Sequence, residues 1–468
     1  MNLRYQLKGI MCGIAFLLAV MPATAFACNA GPEVDGDKAG LVKPGKAFSN
    51  GKAQMSVHPN YELNEIATAS PEERKGVDVT SADVYAHKGY AYMGTHRGQQ
   101  SNEGVRVFDI RDPKNPVEVA AFANDLPGTW QEKVIVKEVN TKHFKGDLAV
   151  VSVQKYRQDQ TQNGGVLVYD VTDPANPKKL AFWTLPEEIR SGTHELYLTV
   201  QGDRAIFLAA NIYADYYTEG KYHDFSIVDV SNPAQPVELH NWNPRELLKA
   251  ADYDGYTYTD DEGAQRTAFA HSIITDKKGE FAYVSYWDLG TIIVDIRNPE
   301  NPTIVGHTKF ERHVQGAAHS AALAKGDTIL IETREVFEPD PDDPAFERGW
   351  GYVRIYDIKD KKNPKLIGDY RSENSMRQIK AGERDPGTYT VHDPKVKGNL
   401  LYLSHYSDGV RIVDITDPTH PYEVASYVPD RAMVWGVFLH KNEILASDMG
   451  TGLKVLELNR KPDRKSLL

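Results

Sequence analysis

One short pattern, recurring along the chain, limits the possible folds more than any other feature. Val105 opens VRVFDIRDPKNPVEV, and the pattern returns as VLVYDVTDPANPKKL at Val166, FSIVDVSNPAQPVEL at Phe225 and TIIVDIRNPENPTIV at Thr291. It recurs as VRIYDIKDKKNPKLI at Val353 and VRIVDITDPTHPYEV at Val410, with a truncated copy, LKVLELNRK, at Leu453. Counted on the acid that ends each apolar run, Asp109, Asp170, Asp229, Asp295, Asp357, Asp414 and Glu457 stand 43 to 66 residues apart. Such a period marks a repeat architecture, in which each unit is one supersecondary element that its neighbours must bury.

Each full copy is a β-branched run, an Asp or Asn that opens a turn, and a later Pro before a second apolar run. Pro presets φ at the second position of a type I turn, so Asp112-Pro113, Asp173-Pro174, Asn232-Pro233, Asn298-Pro299 and Asp417-Pro418 connect strands tightly. The fifth copy has Asp360-Lys361 there instead. Runs that are apolar at consecutive positions, such as Ile292-Ile293-Val294, imply strands buried on both faces. Two more strands precede the motif, joined by a hairpin glycine at Gly89, Gly146, Gly202, Gly279, Gly326 and Gly398.

Four strands, named a to d from the axis outward, make a blade, and blades packed around an axis supply the two-faced burial. The expected fold is therefore all-β, a seven-bladed β-propeller of four-stranded blades over residues 58–458, with a tail at 459–468. The last copy lacks an outer strand, while His58-Pro59-Asn60-Tyr61-Glu62-Leu63 imitates His420-Pro421-Tyr422-Glu423-Val424. Residues 61–68 should accordingly pair with 453–458 and close the ring, which removes an open edge.

The repeated motifs resemble the LVIVD-repeat family, and the resemblance runs from about residue 80 to 458. It implies an exported or surface propeller of bacterial or archaeal type. Blade 4, with its HSII start, YVSYW strand and DIRNPENP turn, also resembles a blade of the selenium-binding and methanethiol oxidase propellers. A propeller fold alone specifies no activity.

Before the repeats, Arg4 and Lys8 precede an apolar run from Ile10 to Val20, then Pro22 and Ala25-Phe26-Ala27. That is the layout of a secretory signal peptide over 1–27, followed by a linker at 28–57. The run is too short for the roughly 20 residues of a membrane-spanning helix, so no transmembrane segment is expected. An exported product is periplasmic or extracellular, either soluble or lipid-anchored through Cys28. Cys12 and Cys28 are the only cysteines, so the body has neither disulfide nor thiolate site. Losing Arg4 and Lys8 takes the formal net charge from −11 to about −13, which repels phosphate backbones and argues against nucleic acid as a partner.

Extra length falls on one face of the disc, in segments 155–164, 211–224, 240–270, 334–350 and 372–390. Tyr213, Tyr216, Tyr217, Tyr222, Tyr253, Tyr256 and Tyr258 lie there, which suits a small molecule or an envelope protein or glycan. This supports an alternative function as a non-enzymatic adhesion or assembly module. Glu338-Pro339-Asp340-Pro341-Asp342-Asp343-Pro344 raises calcium, but its prolines do not match an EF-hand loop.

Four of the fifteen histidines begin innermost strands of consecutive blades: His194, His271, His319 and His392. Inner strands run nearly along the axis, so equivalent positions form an arc around the channel. Neutral imidazole suits copper, zinc, nickel or iron, and the pattern points to a transition-metal or ligand site capable of redox chemistry. His96, Trp287, Arg334 and His405, at the ends of b strands, should rim this mouth and contact a ligand. The opposite wall, near Ser81, Gln131 and Trp435, should stay free to admit it.

Overall fold

The computed structural model describes residues 54–56, 61–72, 79–96, 103–155, 162–336 apart from 243, 312, 313 and 315, then 350–376 and 387–460. The expected signal segment, Cys28 and most of the 28–57 linker lie outside the described residues. So do the acidic stretch at 338–344, the C-terminal tail beyond 460 and the centres of the 155–164, 334–350 and 372–390 loops.

Blade 1 runs Ser81–His87, Tyr90–Thr95, Val105–Asp109 and Val117–Phe122 from the axis outward. Blade 4 repeats this as Ser272–Thr275, Phe281–Ser285, Thr291–Asp295 and Thr303–His307. The a strands of the other blades are Val134–Asn140, Glu195–Gln201, Ala318–Ala324, Pro394–Lys397 and Val434–His440. Each lies beside the a strands of the blades before and after it, and blade 7 returns to blade 1. A short strand, Gln54–Ser56, adds a fifth position outside blade 6.

Two-faced burial appears as seven apolar clusters, each shared by two neighbouring blades. Val105, Val107, Val151 and Leu167 join blades 1 and 2, for example, and Ile227, Ile273, Val284 and Ile292 join blades 3 and 4. The outer strand is adapted to this packing by a feature the motif did not announce. In every blade the ladder between c and d slips by one residue, leaving Val119, Leu180, Leu239, Val305, Ile367, Val424 and Ile66 without a cross-strand partner. Such a bulge bends the strand and increases its twist. Each of these aliphatics packs into the cluster between its own blade and a neighbour.

The Asp/Asn turns form as expected, including the copy without proline. Backbone N–H groups of Asn115, Asn176, Gln235, Asn301, Asn363 and His420 donate to the carbonyl three residues back. In blades 1 to 6 the acid ending the c strand accepts from the backbone two residues on, as Asp295 Oδ1 does from Arg297 at 3.1 Å and Asp414 Oδ1 from Thr416 at 2.7 Å. These acids are structural. Gly146 departs from the hairpin reading: it lies inside the strand Lys145–Lys155, and a Cβ there would meet Thr172 Oγ1 at 2.3 Å. Close approach, not turn geometry, is what excludes a side chain from that position.

Segments 211–224 and 240–270 are packed structure. Tyr213, Tyr253 and Tyr258 are buried, and Tyr213 meets Tyr256 and Phe269 with ring centroids 5.1 and 5.0 Å apart. Tyr213 and Tyr256 form, with Phe269 and Trp287, a small core over the channel end, while Tyr253 and Tyr258 join the cluster between blades 3 and 4, in place of an exposed aromatic face.

Closure occurs where the sequence placed it. Tyr61–Ala69 pairs antiparallel with Gly452–Arg460, Leu63 opposite Leu458 and Ala69 opposite Leu453. Leu63 is buried against Val424, Ile444 and Leu456. Leu63→Ala should therefore cost about 2–4 kcal/mol in urea unfolding, as a poorly relaxed core cavity does. A loss near zero would place the closing strand outside the cooperative unit.

Candidate metal centre

His194, His271 and His392 occupy one rung of their hairpins, their backbone N–H groups donating to Ala210, Ser285 and Ser404 at 2.9, 2.8 and 3.0 Å. In blade 5 the register slips between Ala318 and Ser320, so His319 sits at a bulge; in blade 7 the same slip falls at Trp435. Bulges re-aim side chains, and here both point a ring at the axis. Ring centroids are 4.4 Å apart for His194 and His271, 4.1 Å for His271 and His319, and 4.3 Å for His319 and His392.

The arc does not stop there. Trp435 lies 4.7 Å from His392, His96 lies 5.0 Å from Trp435, and Trp130 lies 4.7 Å from His96 and 6.5 Å from His194. Seven aromatic rings, one from each blade, close a circle. The wall expected to stay free near Ser81, Gln131 and Trp435 is thus filled, and those three residues are buried. Trp130 comes from an extra strand, Thr129–Trp130, whose signal is absent from the repeat motif.

The imidazoles are held so that their Nε2 atoms are offered. Nδ1 of His271 faces the His319 carbonyl at 3.2 Å, and Nδ1 of His319 faces Ser320 Oγ at 2.7 Å. Nδ1 of His194 lies 3.2 Å from Glu132 Oε2. Carboxylates and carbonyls in that position orient metal-bound histidines. His194 Nε2 and His271 Nε2 are 3.0 Å apart. Two nitrogens sharing one ion at about 2.0–2.1 Å stand roughly 2.9–3.4 Å apart, from right-angled to tetrahedral geometry.

A carboxylate completes the set. Glu335 Oε2 lies 3.5 Å from His319 Nε2, and donor atoms of His271, His319 and Glu335 all fall within 4.8 Å of one another. Glu335 Oε1 accepts from Tyr406 Oη at 2.8 Å and stands 4.0 Å from His392 Nε2. Buried polar atoms lacking a hydrogen-bond partner gather here: Glu335 Oε2, His319 Nε2, both nitrogens of His392 and both oxygens of Glu132. Orphaned buried groups are costly and call for a ligand, ion or ordered water.

The residues expected at the rim divide in two. His96 joins the ring, and Trp287 lies 5.4 Å from His271 while stacking on Phe269. Arg334 instead lies over Tyr352. His405 sits beside Asp408, its pKa pushed down to about 4 by burial despite that carboxylate. Their next neighbours, Glu335 and Tyr406, face the ring. Successive strand side chains point oppositely, so a one-residue offset in locating the strand end selects the wrong partner.

Burial pushes His271, His319 and His392 well below the ordinary imidazole range, reinforced by the neighbouring histidines. Burial also opposes the charged form of His194, but Glu132, aided by Glu195, outweighs it and raises that pKa. Burial lifts the Glu335 carboxyl well above its usual value.

The three depressed histidines refuse protons that the unfolded chain accepts near pH ~6.5, so their stability is present above that pH and lost as acid is added. His194 works oppositely, its contribution being lost as pH rises through its raised value. With His405 added to the depressed imidazoles, and His194 and the raised Glu335 carboxyl opposing them, the metal-free protein should show a urea midpoint that falls from pH 7.5 to 5.5. In His392→Leu the fall should be shallower; an equal slope would mean that these imidazoles do not stay neutral when folded.

The fold and the site together define a seven-bladed β-propeller whose axial channel is ringed by imidazoles and a carboxylate. Within that class, the LVIVD repeat matches residues 220–243, 277–309 and 390–428, consistent with the LVIVD-repeat β-propeller family. No curated protein matches the chain. Among solved structures, it resembles the β-propeller domain of Myceliophteria thermophila Cps50 (Swd1), at TM-score 0.52 and 12% identity, over 85% of this chain and 99% of that one. A catalytically inactive virginiamycin B lyase from Staphylococcus aureus, solved with quinupristin, gives TM-score 0.49 and 11% identity over 85% and 99%. At such identities the first likeness shows the fold alone.

Proposed function

We propose that this protein is a transition-metal-binding propeller of the cell envelope, its centre formed by His271, His319 and Glu335 with His194 and His392 alongside. The observation that carries the reading is the pair of imidazoles His271 and His319, whose Nδ1 atoms are engaged and whose donor atoms meet those of Glu335 within 4.8 Å, beside an orphaned carboxylate oxygen. Nitrogen and oxygen donors without thiolate suit copper, zinc, nickel or iron. Such an ion would supply Lewis acidity or, for copper and iron, one-electron redox chemistry to a small substrate.

The chain's own residues have separate parts. Glu132 orients His194, and Tyr406 engages one Glu335 oxygen, leaving the other directed at His319. Trp287, Phe269 and Tyr213 pack over the His271 side and limit water there. Inward packing of the loop tyrosines favours this reading over an adhesive surface. The N-terminal Ile10–Val20 run and its flanks support export, and the intact mass of mature protein would test cleavage after Ala27 against lipidation of Cys28.

Protein made without an affinity tag, stripped and reloaded, should hold one equivalent of metal by elemental analysis. His271→Ala and Glu335→Gln should lose it while keeping the wild-type circular dichroism, and His405→Ala should keep it. Retention in both site variants would refute the assignment. Because the ligating groups must be unprotonated, affinity should fall as acid is added, the lowered imidazoles of His271 and His319 resisting the loss and the raised carboxyl of Glu335 hastening it; affinity unchanged on acidification would argue against these ligands.

A further inference from the structure

The axial channel continues past the imidazoles. Further along the a strands its lining becomes charged, with Asp83, Lys133, Glu195 and Asp393 on blades 1, 2, 3 and 6, all buried. Lys133 Nζ lies 2.7 Å from Asp83 Oδ2 and 3.1 Å from Glu195 Oε1, and Ser272 Oγ donates to Glu195 Oε2 at 2.7 Å. Lys395 pairs with Asp393. The floor so formed has three carboxylates against two ammonium groups.

Beyond it the channel opens into a cavity of ≈ 280 Å³ at the end carrying the a-to-b hairpins, walled by Tyr85, Tyr197, Ile274, Leu323 and Phe438. Blade 7 contributes no side chain to the floor, because its residue there is Gly436, where a Cβ would lie 2.3 Å from Asp83 Oδ1. That oxygen has no hydrogen-bond partner, although the Asp83 side chain is only 5% exposed. Burial, opposed by Lys133, raises the pKa of Asp83, and an ammonium donor at Oδ1 would favour its charged form.

We propose that this cavity is a second binding site, for a small organic ammonium ion carrying an apolar or aromatic body. The ammonium brings the N–H donor that Asp83 Oδ1 lacks and the positive charge that the floor lacks. Lys133 already has two carboxylate partners, so an anion would gain little from it and would face three carboxylates. The walls suit the organic part: Tyr85 and Phe438 are 4.4 Å apart between centroids, and aliphatic side chains fill the remainder. The volume is near the lower end for small-molecule pockets, which restricts the ligand to roughly one ring and a short chain. The inference rests on the floor and the cavity, and does not require a metal at the imidazoles.

Phenethylamine, 3-phenylpropionate and 2-phenylethanol form the test series, titrated by calorimetry into metal-free wild-type protein at pH 7.5. The amine should bind at least about tenfold more tightly than either analogue, the factor expected from one charge-assisted hydrogen bond. Asp83→Asn should weaken the amine about tenfold. Ile274→Trp, which fills the cavity and leaves every floor charge in place, should abolish binding while metal uptake at the other end stays unchanged. Equal affinity for the carboxylate, no amine binding to wild type, or amine affinity unaltered in both variants would overturn the proposal. Should Ile274→Trp not fold, the ligand series and Asp83→Asn still decide it.

Discussion

Everything in this molecule depends on the antiparallel pairing of Tyr61–Ala69 with Gly452–Arg460. Without it, seven sheets would stack as an open series with two exposed edges, and no pair of a strands would be obliged to face a common axis. With it, the ring closes and every a strand is held against two others. Side chains at one height then converge whether or not they attract each other. Apolar contact between blades supplies the energy, but closure supplies the geometry, and the imidazole circle is a product of that geometry.

The architecture was legible because its determinants are local and repeated. A β-branched run, an Asx turn and a later Pro, copied along the chain, specify strands, connections and blade count. Even the missing outer strand could be assigned, from the likeness of residues 58–63 to 420–424. The four histidines were visible for the same reason, because they recur at one position of the repeat. What stayed hidden breaks the repeat. Trp130 enters on an extra strand, and Glu335 lies one residue beyond the Arg334 that sequence spacing favoured. A strand alternates its faces, and no periodic signal says where the last paired residue falls. The outer-strand bulge escaped notice differently: the motif contains it in every blade, but a slip in pairing is a relation between two strands and cannot be read along one.

Burial sets the character of the channel. Several polar atoms at the imidazole end, and Asp83 Oδ1 nearer the other, are shielded from water without a partner. A core chosen only for stability would place apolar groups there, as the interfaces between blades do. Polar groups concentrated on the axis, and apolar ones between the blades, divide the structure into a scaffold that holds position and a lumen that bears the cost of being reactive.

The circle of rings also distinguishes cyclic order from linear order. The scaffold treats blades almost as equivalents, each offering the same turn, bulge and interface. The channel does not, since imidazoles fill four consecutive blades, indole fills the seventh and second, and the first contributes its histidine from a different strand. Cutting the chain at another inter-blade loop and joining the old ends would keep every neighbour relation, and with it both scaffold and circle. Exchanging blade 4 with blade 7 would satisfy the scaffold equally well, yet would part His194 and His319 from His271. The repeats therefore carry a sequence of identities around the ring that the fold itself has no means of enforcing, and only selection on the channel would preserve it.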